Sequence, residues 1–182
     1  FVGVGALLIP SVREQFIAGG VRWLYILLFS FAATFALTPA SIVLGTRWGF
    51  VDQPGERKIH RTPTPRIGGL AVYLGFVGAI LANFILEDWM AAILVAGSLL
   101  LLVGIADDAW ELPAWSKLIA QLGAAGLVIY SGKVLSLFPD GPGGDAANIL
   151  LTFIWIVGIT NAFNFLDGMD GLASGLAVLI AL

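Results

Sequence analysis

The chain has 182 residues, of which 59% are hydrophobic and only 12% charged, and its mean hydropathy is +0.96. Soluble domains carry roughly 25% charged residues, so this composition excludes an ordinary soluble protein. The formal net charge of −3 says little about a chain that lies mostly in lipid, and nucleic acid is not expected as a partner. The absence of cysteine excludes thiolate metal sites and leaves the redox compartment open.

Five charge-free apolar runs follow one another along the chain: 23–45, 67–86, 89–106, 118–132 and 146–166. Four of them have at least 18 residues, enough to cross a bilayer as a helix. The run from 118 is shorter, but Lys117 and Lys133 can extend it by snorkelling. A sixth run begins at Gly171 and covers about half a span. We therefore predict an all-α polytopic membrane helix bundle with about five full transmembrane helices and a truncated sixth.

Residues 1–182 are expected to form a single transmembrane domain without any soluble domain. Because position 1 is not Met and the last residues are apolar, we expect a fragment, about the N-terminal half of a longer membrane protein. Residues 1–10 fit the tail of another span, an interfacial turn or the remnant of a leader.

The distribution of Lys and Arg predicts the orientation. Alternating spans place three connections on one face of the membrane: 46–66, 107–117 and 167–170. Six of the nine Lys and Arg residues lie there, which favours that face as the cytoplasmic one.

The first of these connections is basic and rich in proline. Pro54, Pro63 and Pro65 oppose a continuous helix and favour an extended, stiff loop. Four cations lie within ten residues: Arg57, Lys58, Arg61 and Arg66. They suit phosphate binding, although anchoring to acidic lipid headgroups is the simpler alternative. His60 is the only histidine, so a multi-histidine metal centre is excluded, and a lone histidine is more often structural.

The second connection begins with the pair Asp107 and Asp108, directly after an apolar run. Paired carboxylates at a helix end bind a hard cation such as Mg²⁺ or orient a substrate group. A helix C-terminus disfavours negative charge, so the helix dipole does not explain them. A solvated turn fits Glu111 better than the pair. On the next helix, Lys117 and Gln121 lie one turn apart, and Lys117 is well placed for a phosphate.

The third polar cluster lies in residues 161–175, at the end of the fifth apolar run. Asn161 and Asn164 share a helical face, and two carboxylates, Asp167 and Asp170, follow beside glycines. Ionisable groups at a membrane edge indicate a functional site. The alternative is that Asp170 caps a helix beginning at Leu172 while Asp167 is only solvated. Together, the three clusters indicate phosphoryl transfer involving a lipid phosphate and a divalent metal.

With these motifs in this order, the chain resembles the polyprenyl-phosphate N-acetylhexosamine-1-phosphate transferases, glycosyltransferase family 4. The matching stretches are 52–69, 104–121 and 161–175, and the resemblance covers about 23–182. The residues 57–60 and 63–66 are similar to the N-acetylglucosamine-1-phosphate branch, which serves O-antigen, common-antigen or teichoic-acid linkage. The phospho-N-acetylmuramoyl-pentapeptide branch typically has a lysine where this chain has Glu111.

The resemblance implies a bacterial inner-membrane enzyme, multi-pass and with a cytoplasmic active site. It would transfer a sugar-1-phosphate from a UDP-amino sugar to undecaprenyl phosphate and release UMP. Mg²⁺ is the expected cofactor, with Mn²⁺ as the alternative ion, and a second copy of the chain is a candidate partner. Relatives carry a further metal-binding aspartate and a histidine-rich loop in their second half, so we expect residues 1–182 alone to be inactive.

The resemblance also implies a role for each site residue. The catalytic set would be Asp107, Asp108, Asp167 and Asp170, with the metal on Asp107, Asp108 and Asp167. The substrate-binding set would be Lys58, His60, Arg66, Lys117, Asn161 and Asn164. Two other classes compete with this hypothesis. An ion-coupled transporter predicts acids near the bilayer midplane, and a structural membrane subunit leaves the polar clusters unexplained.

Overall fold

The computed structural model describes residues 5, 7–52, 64–166 and 172–181. Seven helices account for most of them: α1 (Pro10–Ala18), α2 (Arg22–Trp48), α3 (Gly68–Ala82), α4 (Asp88–Trp110), α5 (Ala114–Tyr130), α6 (Pro142–Leu166) and α7 (Leu172–Ala181). Two antiparallel two-residue strands, β1 (Val51–Asp52) and β2 (Thr64–Pro65), lie between α2 and α3. The predicted all-α membrane helix bundle is confirmed.

Among the described residues, three helices are long and apolar enough to cross a membrane: α2, α4 and α6. Trp23 and Trp48 lie exposed at opposite ends of α2, and Trp110 lies exposed at the end of α4. Exposed tryptophans at helix ends are typical of the membrane–water interface. The other two predicted spans are shorter helices, since α3 has 15 residues and α5 has 17. At 1.5 Å per residue they extend about 22 and 26 Å, less than a hydrocarbon core of roughly 30 Å.

The chain divides into two compact units, 1–112 and 113–182. In the first unit, α2 packs along α3, and α1 and α4 pack against this pair. In the second unit, α5 packs along α6, which also contacts α7.

Small residues make the close contact between α2 and α3 possible. Ala71, Gly75 and Ala79 are buried and recur every four residues on one face of α3. A Cβ added at Gly75 would lie 2.1 Å from Thr34 Oγ1 and 3.0 Å from the Thr34 backbone nitrogen, both on α2. In lipid, helices associate through this kind of close backbone approach, because the hydrophobic effect gives no preference for helix over lipid tail.

Polar contacts fix the start of α2 against the end of α3. The Arg22 guanidinium at the start of α2 donates to the Asn83 carbonyl oxygen just after α3. Asn83 is 1% exposed, and its Nδ2 donates to the Ala79 carbonyl oxygen at 2.9 Å. Helix α1 adds the Arg13 guanidinium, which lies 4.9 Å from the centre of the Phe84 ring. These contacts end α3 at Ala82, four residues before the apolar run ends.

In the second unit, an extended segment follows α5 and runs along α6. The Leu137 and Phe138 amides donate to Asn148 Oδ1 at 3.0 and 2.9 Å, and the Leu135 amide donates to Thr152 Oγ1 at 2.9 Å. Gly132, with φ of 83°, provides the turn that starts this segment. Two side chains of α6 therefore satisfy the backbone of a segment that has no regular structure of its own.

The α2–α3 contact leads to a stability prediction. Gly75→Val should lower the free energy of unfolding by about 1–3 kcal/mol, because the backbone of α2 lies within reach of the new side chain. Thermal unfolding of the purified protein in detergent micelles measures the change. Gly158→Ala, on α6, is the matched control, since nothing lies within 4 Å of its added Cβ. Equal midpoints for the wild-type and Gly75→Val proteins would contradict the close packing.

Candidate functional site

Arg66, the last cation of the basic connection, is held in place by backbone contacts. It follows β2, whose Pro65 pairs with Val51 of β1, and its own amide donates to the Phe50 carbonyl oxygen at 3.0 Å. The strand lies against α2 at Gly45, where an added Cβ would be 3.0 Å from Pro65 Cβ and 3.1 Å from Ile67 Cγ1. The end of the basic connection is therefore fixed between the end of α2 and the start of α3.

The acidic pair lies inside the last turn of α4. The Asp107 carbonyl oxygen accepts a hydrogen bond of 2.8 Å from the Glu111 amide. Glu111 ends the helix in the left-handed conformation, with φ of 49°. Asp107 is half-buried and Asp108 is exposed. The two carboxylates thus lie at the negative end of the helix dipole, where a cation or a cationic side chain is needed to offset them.

One such cation is Arg66. Its Nη1 lies 3.8 Å from Asp108 Oδ1, and both side chains are 37% exposed. The structure therefore brings together two residues that the sequence predicted for the site, across a separation of 42 positions (108 minus 66). At this distance and exposure the pair contributes little to stability, so its position is more informative than its energy.

The donor set at the acidic pair fits Mg²⁺. Among the described residues, no group of three or more His, Cys, Asp or Glu side chains is arranged to hold a metal ion. Mg²⁺ does not require one, because it commonly binds one or two carboxylates, keeps several waters and takes substrate phosphates as its other ligands. Asp107 and Asp108 are the described residues that could hold it in this way.

The second unit contains the other described candidates. Lys117 lies half-buried in the first turn of α5, and Asn164 lies exposed near the end of α6. Asn161 is joined to Gln121 of α5 by two reciprocal amide hydrogen bonds: Asn161 Nδ2 to Gln121 Oε1 at 2.6 Å, and Gln121 Nε2 to Asn161 Oδ1 at 3.3 Å. Asn161 and Asn164 are both in α6, as predicted.

The remaining candidates, Lys58, His60, Asp167 and Asp170, lie outside the described residues. Their roles stay predictions, as do the roles assigned to the other members of the site. Gln121 lies one turn from Lys117, as the spacing predicts, but its pairing with Asn161 was not predicted. A signal was present, since an amide within the charge-free run 118–132 needs a hydrogen-bond partner within the bilayer.

Comparison with known proteins identifies the family to which the chain belongs. The glycosyl transferase family 4 model matches residues 90–182. The chain is 40% identical to the decaprenyl-phosphate N-acetylglucosaminephosphotransferase of Mycobacterium tuberculosis, over 82% of this chain and 41% of that protein. It is 37% identical to the probable undecaprenyl-phosphate N-acetylglucosaminyl 1-phosphate transferase of Bacillus subtilis, over 87% of this chain and 46% of that protein.

A more distant relative is the undecaprenyl-phosphate alpha-N-acetylglucosaminyl 1-phosphate transferase of Escherichia coli, 30% identical over 71% of this chain and 37% of that protein. The chain therefore spans less than half the length of these curated relatives. No solved structure matches it significantly.

The Arg66–Asp108 pair leads to a prediction that separates the contribution of the ion pair to stability from that of the packing at Gly45. Arg66→Gln should change the free energy of unfolding by no more than about 1 kcal/mol, because the pair is more than one-third exposed. Gly45→Val should cost more, since it presses against Pro65 and Ile67. Thermal unfolding in detergent measures both. A loss at Arg66→Gln as large as that at Gly45→Val would show that the ion pair, rather than the packing, fixes the connection.

Proposed function

This chain belongs to glycosyl transferase family 4, and on that premise we propose that it forms part of an enzyme that transfers N-acetylglucosamine-1-phosphate from a UDP-sugar to a polyprenyl phosphate. The chain is a bacterial integral membrane protein, to judge from its relatives and its apolar helices. The product would be a lipid-linked sugar pyrophosphate, the first membrane intermediate of a cell-envelope polysaccharide. UMP would be the second product.

One observation carries the proposal: the similarity to the mycobacterial and Bacillus enzymes extends over more than four-fifths of this chain, and the names of these enzymes specify both the sugar phosphate and the lipid phosphate. The contact between Arg66 and Asp108 supports it independently, because it joins a basic and an acidic motif in one place. The N-acetylglucosamine branch is further supported by Glu111, which stands where the muramoyl-pentapeptide branch typically has lysine.

In the proposed reaction, a phosphate oxygen of the polyprenyl phosphate attacks the β-phosphorus of the UDP-sugar. The bond from that phosphorus to the bridging oxygen breaks, and UMP leaves with the electron pair. One pyrophosphate bond replaces another, so catalysis rests on positioning and on neutralising charge. A phosphate monoester has its second pKa near 6, so the attacking oxygen is already ionised at neutral pH and needs no obligatory general base.

We assign Asp107 and Asp108 to the lipid phosphate. Two carboxylates that face a phosphate repel it, so this assignment requires a cation between the carboxylates and the phosphate. Mg²⁺, when bound, would supply the positive charge that offsets the developing negative charge on the phosphoryl oxygens. Arg66, held by the strand pair, would neutralise part of the charge on Asp108 and keep the carboxylates oriented.

We assign the second unit to the sugar nucleotide. Lys117 provides a cation at the start of α5, where the helix dipole already favours an anion, so the two add together for a phosphate. Asn164 presents an exposed amide within the last turn of α6. By resemblance to the family, Asp167 and Asp170 belong to the same nucleotide and metal side.

The charge distribution supports a cytoplasmic site, and a labelling experiment tests it. Ala114→Cys and Asp140→Cys place single thiols in a cysteine-free chain, at exposed positions of two successive connections. An impermeant thiol reagent added to intact cells should label position 140 and leave position 114 unlabelled until the membrane is permeabilised. The reverse pattern would overturn the orientation and the cytoplasmic site together.

The acidic residues give the test of chemistry. Asp107→Asn and Asp108→Asn should each lower kcat of the intact protein by about 10²- to 10³-fold, because they remove a charge contact without changing size. We expect a similar loss at Asp167→Asn and a smaller one at Asp170→Asn, because an aspartate shortly before a helix is also a common N-cap residue. The assay follows lipid-linked sugar formed from UDP-N-acetylglucosamine, undecaprenyl phosphate and Mg²⁺.

Asp145→Asn is the matched control for this series, because Asp145 is an acid in the first turn of α6, at the other end of that helix from Asn164. Its kcat should stay within a factor of about two of the wild-type value. Near-normal kcat in both Asp107→Asn and Asp108→Asn would refute the role of the acidic pair. Affinity for the UDP-sugar should fall more at Asp167→Asn than at Asp107→Asn, and equal losses would refute only the partition between lipid and nucleotide.

A further inference from the structure

In the amide pair that Gln121 of α5 forms with Asn161 of α6, both side-chain N–H groups of Asn161 are engaged in hydrogen bonds. An asparagine amide has two N–H groups. In Asn161 one of them donates to Gln121 Oε1 at 2.6 Å and the other to the Val157 carbonyl oxygen at 2.8 Å. Oδ1 accepts from Gln121 Nε2 at 3.3 Å. Asn161 therefore has no further N–H to offer a ligand, and Gln121 is buried, with 9% of its surface exposed.

The pair also sets the level at which the two helices meet. The middle of α5 lies against the last third of α6 at this pair, and the segment after α5 lies against Asn148 and Thr152 in the first half of α6. The helices are therefore antiparallel. From Gln121, Lys117 lies four residues back, about 6 Å along α5, and from Asn161, Asn164 lies three residues on, about 4.5 Å along α6. Lys117 and Asn164 are thus at nearly the same level on neighbouring helices.

We propose that Gln121 is a positioning residue: its reciprocal amide pair with Asn161 fixes the axial register of α5 against α6 and so holds Lys117 level with Asn164. The proposal rests on the proposed function for what these two residues bind, namely the sugar nucleotide. It assigns Asn161 to positioning rather than to direct contact with substrate. A slip of one residue between the helices would move Lys117 by about 1.5 Å relative to Asn164, enough to weaken a phosphate contact.

The first test is kinetic and uses the intact protein. Gln121→Met keeps the size and removes both amide hydrogen bonds, and we expect kcat to fall at least tenfold. Combined with Lys117→Met, it should add little to the loss caused by Lys117→Met alone, because the group that Gln121 positions is then already absent. The exchange Gln121→Asn with Asn161→Gln restores a reciprocal amide pair and should recover most of the activity.

The control is Asn148→Leu, which removes a buried amide from α6, the helix that carries Asn161, in the opposite half of that helix. It should lower the unfolding midpoint as much as Gln121→Met does, while kcat stays close to the wild-type value. Its small effect on kcat should simply add to the effect of Lys117→Met. If Asn148→Leu does not fold, Thr152→Val replaces it. Additive effects of Gln121→Met and Lys117→Met on kcat would overturn the proposal, because they would indicate a general loss of stability.

A second test does not depend on the reaction. Lys117→Cys with Asn164→Cys places two thiols in the cysteine-free chain, on helices whose axes lie about 8–10 Å apart when packed. A short bis-methanethiosulfonate should cross-link them quickly, and adding Gln121→Met should slow the cross-link at least tenfold. An unchanged rate refutes the register role even in an inactive protein. Absence of transferase activity in the wild-type protein, with a cross-link that still depends on Gln121, would refute the proposed function alone.

Discussion

Hydrocarbon offers no hydrogen-bond partner, and this constraint explains several of the polar contacts among the described residues. A backbone or amide group at membrane depth is costly unless it is satisfied within the protein, and among the described residues the buried Asn83 Oδ1 is an exception that has no partner. Helices do this for their own backbone, and amide side chains do it where a helix ends. Asn83 bonds the last turn of α3, and Asn148 binds the backbone of the segment after α5. Gln121 and Asn161 satisfy each other.

The same constraint explains how a 17-residue helix can belong to a complete membrane crossing. Thr152 lies ten residues into α6, about 15 Å from its start, and it accepts the Leu135 amide. The extended segment 133–138 therefore covers the distance that α5 does not reach. Its backbone is tied to α6, and its apolar side chains remain exposed, as expected of a segment that faces lipid. Irregular backbone is tolerated here because protein groups bind it.

Apolar runs in the sequence were sufficient to predict α2, α4 and α6, because a charge-free run long enough to span has few alternatives to a helix. The same rule overestimated the length of α3 by four residues at its end, since Ile85 and Leu86 are apolar but Asn83 ends the helix. For the site, span alternation correctly grouped Arg66 with Asp108. It could not identify the contact that fixes Arg66, because the close approach at Gly45 depends on how α2 and β2 pack.

The Gln121–Asn161 pair shows the limit of sequence patterns more clearly. The two residues are 40 positions apart, and periodicity within each helix gives the face but not the register between helices. Any register that buries both amides satisfies the pattern. Only the packed pair of helices selects one, and with it the residue on α6 that lies level with Lys117.

Several charges in the proposed site lie where helix dipoles disfavour them. Asp107 and Asp108 are in the last turn of α4, and Lys117 is in the first turn of α5, so each charge costs about 0.3–1 kcal/mol relative to the reversed arrangement. In the proposed function, a bound phosphate would offset this cost at Lys117, and a bound cation would add to the offset that Arg66 already provides at Asp108. Such an arrangement persists only if packing elsewhere supplies the stability. In this chain the close contact at Gly75 and the tied segment along α6 do so, and neither involves a charged group of the site.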